Sequence, residues 1–135
     1  AAIGRPEAEV WAIVGDGGVQ MTSFEFATIV QEHANVNIAI INNGYLGMVR
    51  QWQQLFHDRN YSETFISQPD FQMLATAYGI PARTVTRREE VDDAIVWARA
   101  TDGPTLINFV VDQEMNVYPM IPSGGSFGEL IEKGE

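Results

Sequence analysis

Cysteine is absent from the 135 residues, which removes disulfides, thiolate nucleophiles and Cys-ligated zinc from consideration. Basic residues are scarce, 8 Lys and Arg against 18 Asp and Glu, for a formal charge of −10. Nucleic-acid binding rests on neutralising phosphates with Lys and Arg, so this balance argues against a nucleic-acid partner. It also denies the chain a general positive field, and any anionic ligand must then be held by local coordination. The two histidines, His33 and His57, have no second metal-type ligand at helical spacing and read as surface residues. No apolar run approaches the roughly 18 residues a membrane span needs. The expectation is a soluble cytoplasmic protein with no membrane partner. The start, Ala1-Ala2-Ile3-Gly4, has neither an initiator Met nor the charged and apolar regions of a signal peptide, and is expected to be a truncated N-terminus.

Apolar runs end at two polar motifs. Val10 to Val14 leads into Gly15-Asp16-Gly17-Gly18, and Val36 to Ile41 leads into Asn42-Asn43-Gly44. Both runs read as buried strands. Further along, Thr22 and Glu25 stand at capping-box spacing and open a helix expected to end near Ala34. A second helix runs from Met48 to Phe56, with 48, 52 and 55, flanked by 49 and 56, on one face. Pro69-Asp70 starts a third, carrying Phe71, Leu74, Ala75 and Tyr78 and stopping at Gly79. A short strand lies at 82–85, a fourth helix with Val91, Ala94, Ile95 and Ala98 inward follows a Thr86/Glu89 capping pair, and a last strand covers 105–111. Strands alternating with helices give an α/β fold, a parallel sheet with helices on both faces. Residues 1–111 form this domain, and 112–135 read as an irregular, extended C-terminal arm.

In such sheets ligands bind beyond the carboxyl ends of the strands, where both polar motifs sit. Asp16 beside an anion would repel it unless a divalent cation stood between them. Magnesium takes about six oxygens, few of them protein carboxylates, the rest from phosphates, neutral groups and water. Asp16, an Asn amide and a main-chain carbonyl just past the Asn pair supply three. Glycines at 15, 17 and 18 let the backbone turn and approach a diphosphate. A dinucleotide fingerprint fails because Gln20 occupies the position that needs Gly or Ala, and an EF-hand fails for want of alternating acidic ligands after Asp16. Gly-Asp-Gly followed at this distance by Asn-Asn, each after a strand, resembles the motif by which thiamine diphosphate enzymes hold their cofactor.

More of the chain carries a narrower resemblance. Ile41 to Gln53, with its run Gly47-Met48-Val49-Arg50-Gln51-Trp52, then Tyr61-Ser62-Glu63-Thr64, Pro69-Asp70-Phe71, Ala77-Tyr78-Gly79, Asp102-Gly103-Pro104 and Pro119-Met120, resemble the C-terminal, thiamine diphosphate-binding domain of the acetolactate synthase large subunit. The Gly47-Met48-Val49 run with Trp52 is similar to the anabolic, FAD-containing form. That resemblance implies magnesium ligands at Asp16, Asn43 and the carbonyl of Tyr45. It implies cofactor contacts at Gly15, Gly17, Gly18, Leu46, Gly47 and Met48, and a keto-acid pocket at Met48, Val49 and Trp52, with Met21 adding an apolar wall. Spacing alone places Trp52 in a core; the resemblance places it in the pocket. The implied activity joins a two-carbon unit from pyruvate to a second pyruvate or to 2-ketobutyrate, in branched-chain amino acid biosynthesis. The implied assembly is a homodimer or tetramer with a small regulatory subunit, FAD bound mainly outside this segment, and the activating glutamate given by a partner subunit. No catalytic residue is then expected in this chain, and Glu25 reads as a helix cap.

Two other readings stand beside it. A different thiamine diphosphate carboligase or decarboxylase, such as glyoxylate carboligase or a keto-acid oxidase, would share Asp16 and Asn43. A cofactor-binding and dimerisation module, inactive alone, would share them too.

Overall fold

The two apolar runs become neighbouring parallel strands. In the computed structural model, which describes residues 1–133, β1 spans Trp11–Gly15 and β2 Asn37–Asn42. The final positions of the arm, Gly134 and Glu135, lie outside the described residues. With β3 (Ala82–Val85) and β4 (Thr105–Val110), the strands form one sheet in the order β1-β2-β4-β3. Every pairing is parallel, with Ile38 opposite Ala12 on one side and Leu106 on the other.

Among the described residues, five α-helices accompany the sheet: α1 Asp16–Thr22, α2 Glu25–Gln31, α3 Gly47–Phe56, α4 Phe71–Ala77 and α5 Val91–Ala100. Strand alternation sends Ile38, Ile40 and Leu106 to one face, where Val19 of α1, Phe26 of α2 and Phe71 and Ala75 of α4 close a core. The opposite face carries Val85 and Ile107 beneath Ala94 and Ala98 of α5. Helices therefore stand on both faces, as the alternation of elements predicts. One helix is too few to cover the second face, and Ile13 on β1 stays 75% exposed. No helix among the described residues is long and apolar enough to cross a membrane.

Three local expectations are corrected. Residues 16–22 are already helical, because Val19 is drawn into the core. Gly17 and Gly18 thus sit in a helical turn, not a sharp loop, and the predicted Thr22/Glu25 box does not form. The Thr22 hydroxyl instead donates back to the Gly18 carbonyl, and α2 has no side-chain cap. The second box lies one residue later than predicted. Glu90, not Glu89, accepts from the Thr86 and Arg87 amides at 3.3 and 3.2 Å, because its carboxylate is also held by the Arg87 guanidinium. The third helix forms as read, with Asp70 accepting from the Met73 amide and Gly79 at φ +82° ending it.

Among its described residues, the arm after β4 has a 3-10 turn, Phe127–Glu129, and an antiparallel bridge between Met120 and Ile131. It lies against α3. His33 and His57 are exposed, as read from the sequence.

Candidate functional site

Because β1 and β2 pair in register, Gly15 beside Ile41, their carboxyl ends emerge together at one edge of the sheet. Helix α1 starts at once, with Asp16 as its first residue and only 2% exposed. A buried carboxylate needs partners. Oδ2 of Asp16 accepts the Gly44 amide at 2.9 Å and the Gln68 side-chain amide at 2.7 Å. These bonds tie the loop after β1 to the loop after β2 and to the segment before α4. Oδ1 receives no donor among the described residues, yet it is not a sealed-in orphan atom. One oxygen fastens the loops and the other opens outward.

The Asn43 side chain folds back so that its Oδ1 accepts the Tyr45 amide at 3.1 Å, an Asx-type turn. Gly44, at φ +73°, reverses the chain there. Gly47 makes room for the amide: a Cβ at that position would lie 2.8 Å from Asn43 Nδ2. The Tyr45 carbonyl takes no hydrogen bond among the described residues. Its neighbours are fixed by the facing strand-like segment, Leu46 N–H to the Thr64 carbonyl at 2.8 Å and Ile66 N–H to the Gly44 carbonyl at 3.0 Å. The three predicted metal-ligand residues therefore share one loop cluster, each with an acceptor oxygen left for a further bond. No three His, Cys, Asp or Glu side chains converge among the described residues. A cation here gains a single carboxylate and otherwise neutral oxygens, the donor set magnesium takes when phosphate completes its shell.

The predicted cofactor glycines belong to the same place. A Cβ on Gly17 would lie 3.1 Å from Ile66 and 3.4 Å from Leu46, and one on Gly18 would lie 3.0 Å from Val14. An open groove of about 400 Å³ runs past Gly17, Gln20, Met21, Leu46 and Phe65. Its floor and walls carry no Asp, Glu or His. Glu25 is exposed on α2 and caps nothing.

Met48, Val49 and Trp52 share the outer face of α3. Met48 and Val49 are 52% and 49% exposed, and Trp52 is half-buried with its ring 4.9 Å from that of Phe56. The apolar side of α3 faces away from the core, and its polar residues Arg50 and Gln51 are the buried ones. Trp52 therefore belongs to neither core cluster, where its spacing alone would place it.

Sequence reasoning does not single out Gln68, Phe65 or Ile66, which stand in a mostly polar stretch between two predicted helices. Adjacent apolar residues in an otherwise polar loop, Phe65-Ile66, were the available signal. Nothing local marks Gln68 as a partner of Asp16.

A parallel sheet that gathers a half-committed buried carboxylate, an Asx-turned amide and a free carbonyl at its carboxyl edge has the architecture of an α/β cofactor-binding domain. Residues 1–109 match the family described as thiamine pyrophosphate enzyme, C-terminal TPP binding domain, and the chain belongs to that family. It is 48% identical to an acetolactate synthase of Mycobacterium avium, covering 96% of this chain and 22% of that protein. It is 41% identical to the acetolactate synthase isozyme 2 large subunit of Escherichia coli, over 98% of this chain and 24% of the relative. The chain thus spans less than a quarter of the length of these relatives. Among solved structures, it superposes on a thiamine diphosphate-dependent 4-hydroxybenzoylformate decarboxylase of Rhodococcus jostii with a TM-score of 0.76 and 28% identity, over 85% of this chain and 22% of that one.

Proposed function

We propose that this chain is the magnesium- and thiamine diphosphate-holding part of an acetolactate synthase large subunit. The observation that carries the reading is the division of labour at Asp16, whose Oδ2 braces both loops while Oδ1 stays free for a cation. The identity of 48% and 41% to acetolactate synthases over this segment supports that activity among thiamine diphosphate enzymes.

Asp16, the Asn43 side-chain oxygen and the Tyr45 carbonyl would hold Mg2+, and through it the diphosphate. Gly15, Gly17 and Gly18 keep side chains from crowding it, and Leu46, Gly47 and Met48 would lie along the cofactor. When bound, thiamine diphosphate supplies the carbon nucleophile and electron sink for decarboxylating pyruvate and forming the new carbon–carbon bond. This chain's share is an apolar environment, which disfavours charged over neutral species and so favours loss of carbon dioxide. Met21, Met48, Val49 and Trp52 supply that surface, with Trp52 sizing the pocket for pyruvate or 2-ketobutyrate. The groove holds no acid or base of its own, so proton transfer falls to a glutamate of a partner subunit in a homodimer or tetramer. FAD, held outside this segment, and a small regulatory subunit complete the proposed branched-chain biosynthetic enzyme.

The test is Asp16→Ala in the full-length subunit, followed by calorimetric titration of thiamine diphosphate at fixed Mg2+. Loss of Mg2+-dependent cofactor binding is expected, with Asn43→Ala weaker in effect because water can replace a neutral ligand. Unchanged cofactor affinity in Asp16→Ala would sink the assignment.

A further inference from the structure

Helix α3 has an unusual mooring. Among the described residues, it alone of the five helices contributes nothing to either apolar core cluster. Its buried side is polar instead, with Arg50 and Gln51 each 1% exposed. Both hydrogen-bond to the C-terminal arm. The Gln51 amide pairs with the Val117 backbone as a neighbouring strand would, donating to its carbonyl at 2.9 Å and accepting its N–H at 2.8 Å. Arg50 donates to Gln54 at 2.8 Å and to Asn116 at 2.6 Å, and Asn116 closes the triangle by donating to Gln54 at 3.0 Å.

Among the described residues, every hydrogen bond linking residues 112–133 to the rest of the domain lands on Arg50, Gln51 or Gln54, within little more than one turn of α3. No carboxylate pairs with Arg50 there, and its Nε is buried without an acceptor. A buried guanidinium satisfied only by neutral amides gains little beyond the geometry it enforces.

We propose that Arg50 and Gln51 are positioning residues: they dock the arm on the inner side of α3, and the docked arm fixes the helix whose outer side presents Met48, Val49 and Trp52. The latch itself stands on the hydrogen bonds above. Its consequence for the pocket rests on the reading of that outer face as the cofactor and acceptor wall. Core packing does not hold α3 in register with the sheet; together with the bonds of Gln53 to Ser62 and Thr64 on its other side, these amides set where Trp52 stands. Selectivity between two acceptors that differ by one methylene is sensitive to such a shift, since the whole discrimination amounts to about 10–200-fold.

The test uses the full-length subunit with Mg2+ and thiamine diphosphate, and variants remote from the reacting groups. Gln51→Leu removes the pairing with Val117. Asn116→Ala breaks the triangle from the arm side, where it cannot disturb the sheet. Arg50→Met combined with Asn116→Leu replaces the triangle by apolar contact. Hydrogen exchange of peptides covering 113–120 reads docking, and peptides covering 36–41 control for the sheet. Competition between pyruvate and 2-ketobutyrate as acceptors reads position.

Gln51→Leu and Asn116→Ala are expected to speed exchange in 113–120 about tenfold with the sheet peptides unchanged, and to shift the acceptor ratio severalfold at nearly constant pyruvate consumption. The Arg50→Met/Asn116→Leu pair is expected to recover most of both. Unchanged exchange in 113–120 would overturn the latch. Faster exchange with an unmoved acceptor ratio would overturn the positioning role. Absence of keto-acid turnover in the unmodified enzyme would instead refute the functional reading, while the exchange data still decide the latch.

Discussion

Gly47→Ala isolates one link between the backbone and the proposed metal site. Gly47 begins α3 and does not have positive φ, so the backbone accepts alanine, and helix propensity favours it by up to about 1 kcal/mol. Against this stands space, for the new Cβ would lie 2.8 Å from Asn43 Nδ2 and 3.9 Å from its Cγ. The Asn43 amide must swing aside and give up the 3.1 Å bond from the Tyr45 amide, a loss of about 0.5–1.5 kcal/mol. The two effects nearly cancel in the fold, so the melting temperature should barely move. They do not cancel at the cation, because a displaced ligand no longer points at it, and disturbing ligand orientation typically lowers metal affinity about 10–100-fold. The measurement is a Mg2+ titration of the full-length subunit at fixed thiamine diphosphate, with thermal melting alongside. Gly4→Ala serves as the control within the protein, since it lies outside the loop cluster and its Cβ would meet nothing closer than 3.8 Å. Wild-type Mg2+ affinity in a normally folded Gly47→Ala enzyme would refute the reasoning, because Asn43 would then be dispensable as a ligand.

Three further outcomes are expected. Trp52→Leu should lower the preference for 2-ketobutyrate while largely sparing acetolactate formation, by the roughly 1–3 kcal/mol that one methylene is worth in an apolar pocket; an unaltered acceptor ratio in a destabilised protein would return Trp52 to a structural role. Leu106→Ala, at a site with 0% exposure between two strands, should cost about 2–5 kcal/mol in chemical denaturation, with cofactor affinity of the folded fraction unchanged. The Arg87 side chain, then the Thr86 and Arg87 amides, hold the Glu90 carboxyl below its ordinary 4.5; a depressed pKa contributes stability above the unfolded value that is lost as pH falls through the folded one, so Glu90→Gln should lower the melting temperature at pH 7 and narrow its difference from the wild type below about pH 4.

The strands were legible because Val and Ile runs bounded by polar motifs leave little alternative, and α4 because its cap and its stop are local: Asp70 reaches only to Met73, and Gly79 needs only its own φ. Helix α1 was hidden by its composition. Two glycines read as a turn, and burial of Val19 against Ile38 and Ile40 overrides that weak local preference. The Thr86/Glu89 pairing missed by one residue because spacing cannot register that the Arg87 guanidinium also draws in Glu90.

At the site, Asp16 and Asn43 could be singled out because a carboxylate and an amide at the ends of two strands are chemically conspicuous. Gln68 could not, since its bond to Asp16 spans 52 positions and only the folded loops reveal it. The orientation of α3 shows the same limit more sharply. A helical period says which side chains share a face, but not which face turns inward. Apolar residues normally settle the direction, and here they point outward because Arg50 and Gln51 find their partners 66 positions later, in the arm. With its polar side held inward by the arm, α3 leaves Met48 and Val49 about half exposed. Its outer side carries Met48, Val49 and Trp52, directly after the loop of Asn43 and Tyr45, so on the proposed reading the inversion of α3 and the metal-ligating loop would belong to one site.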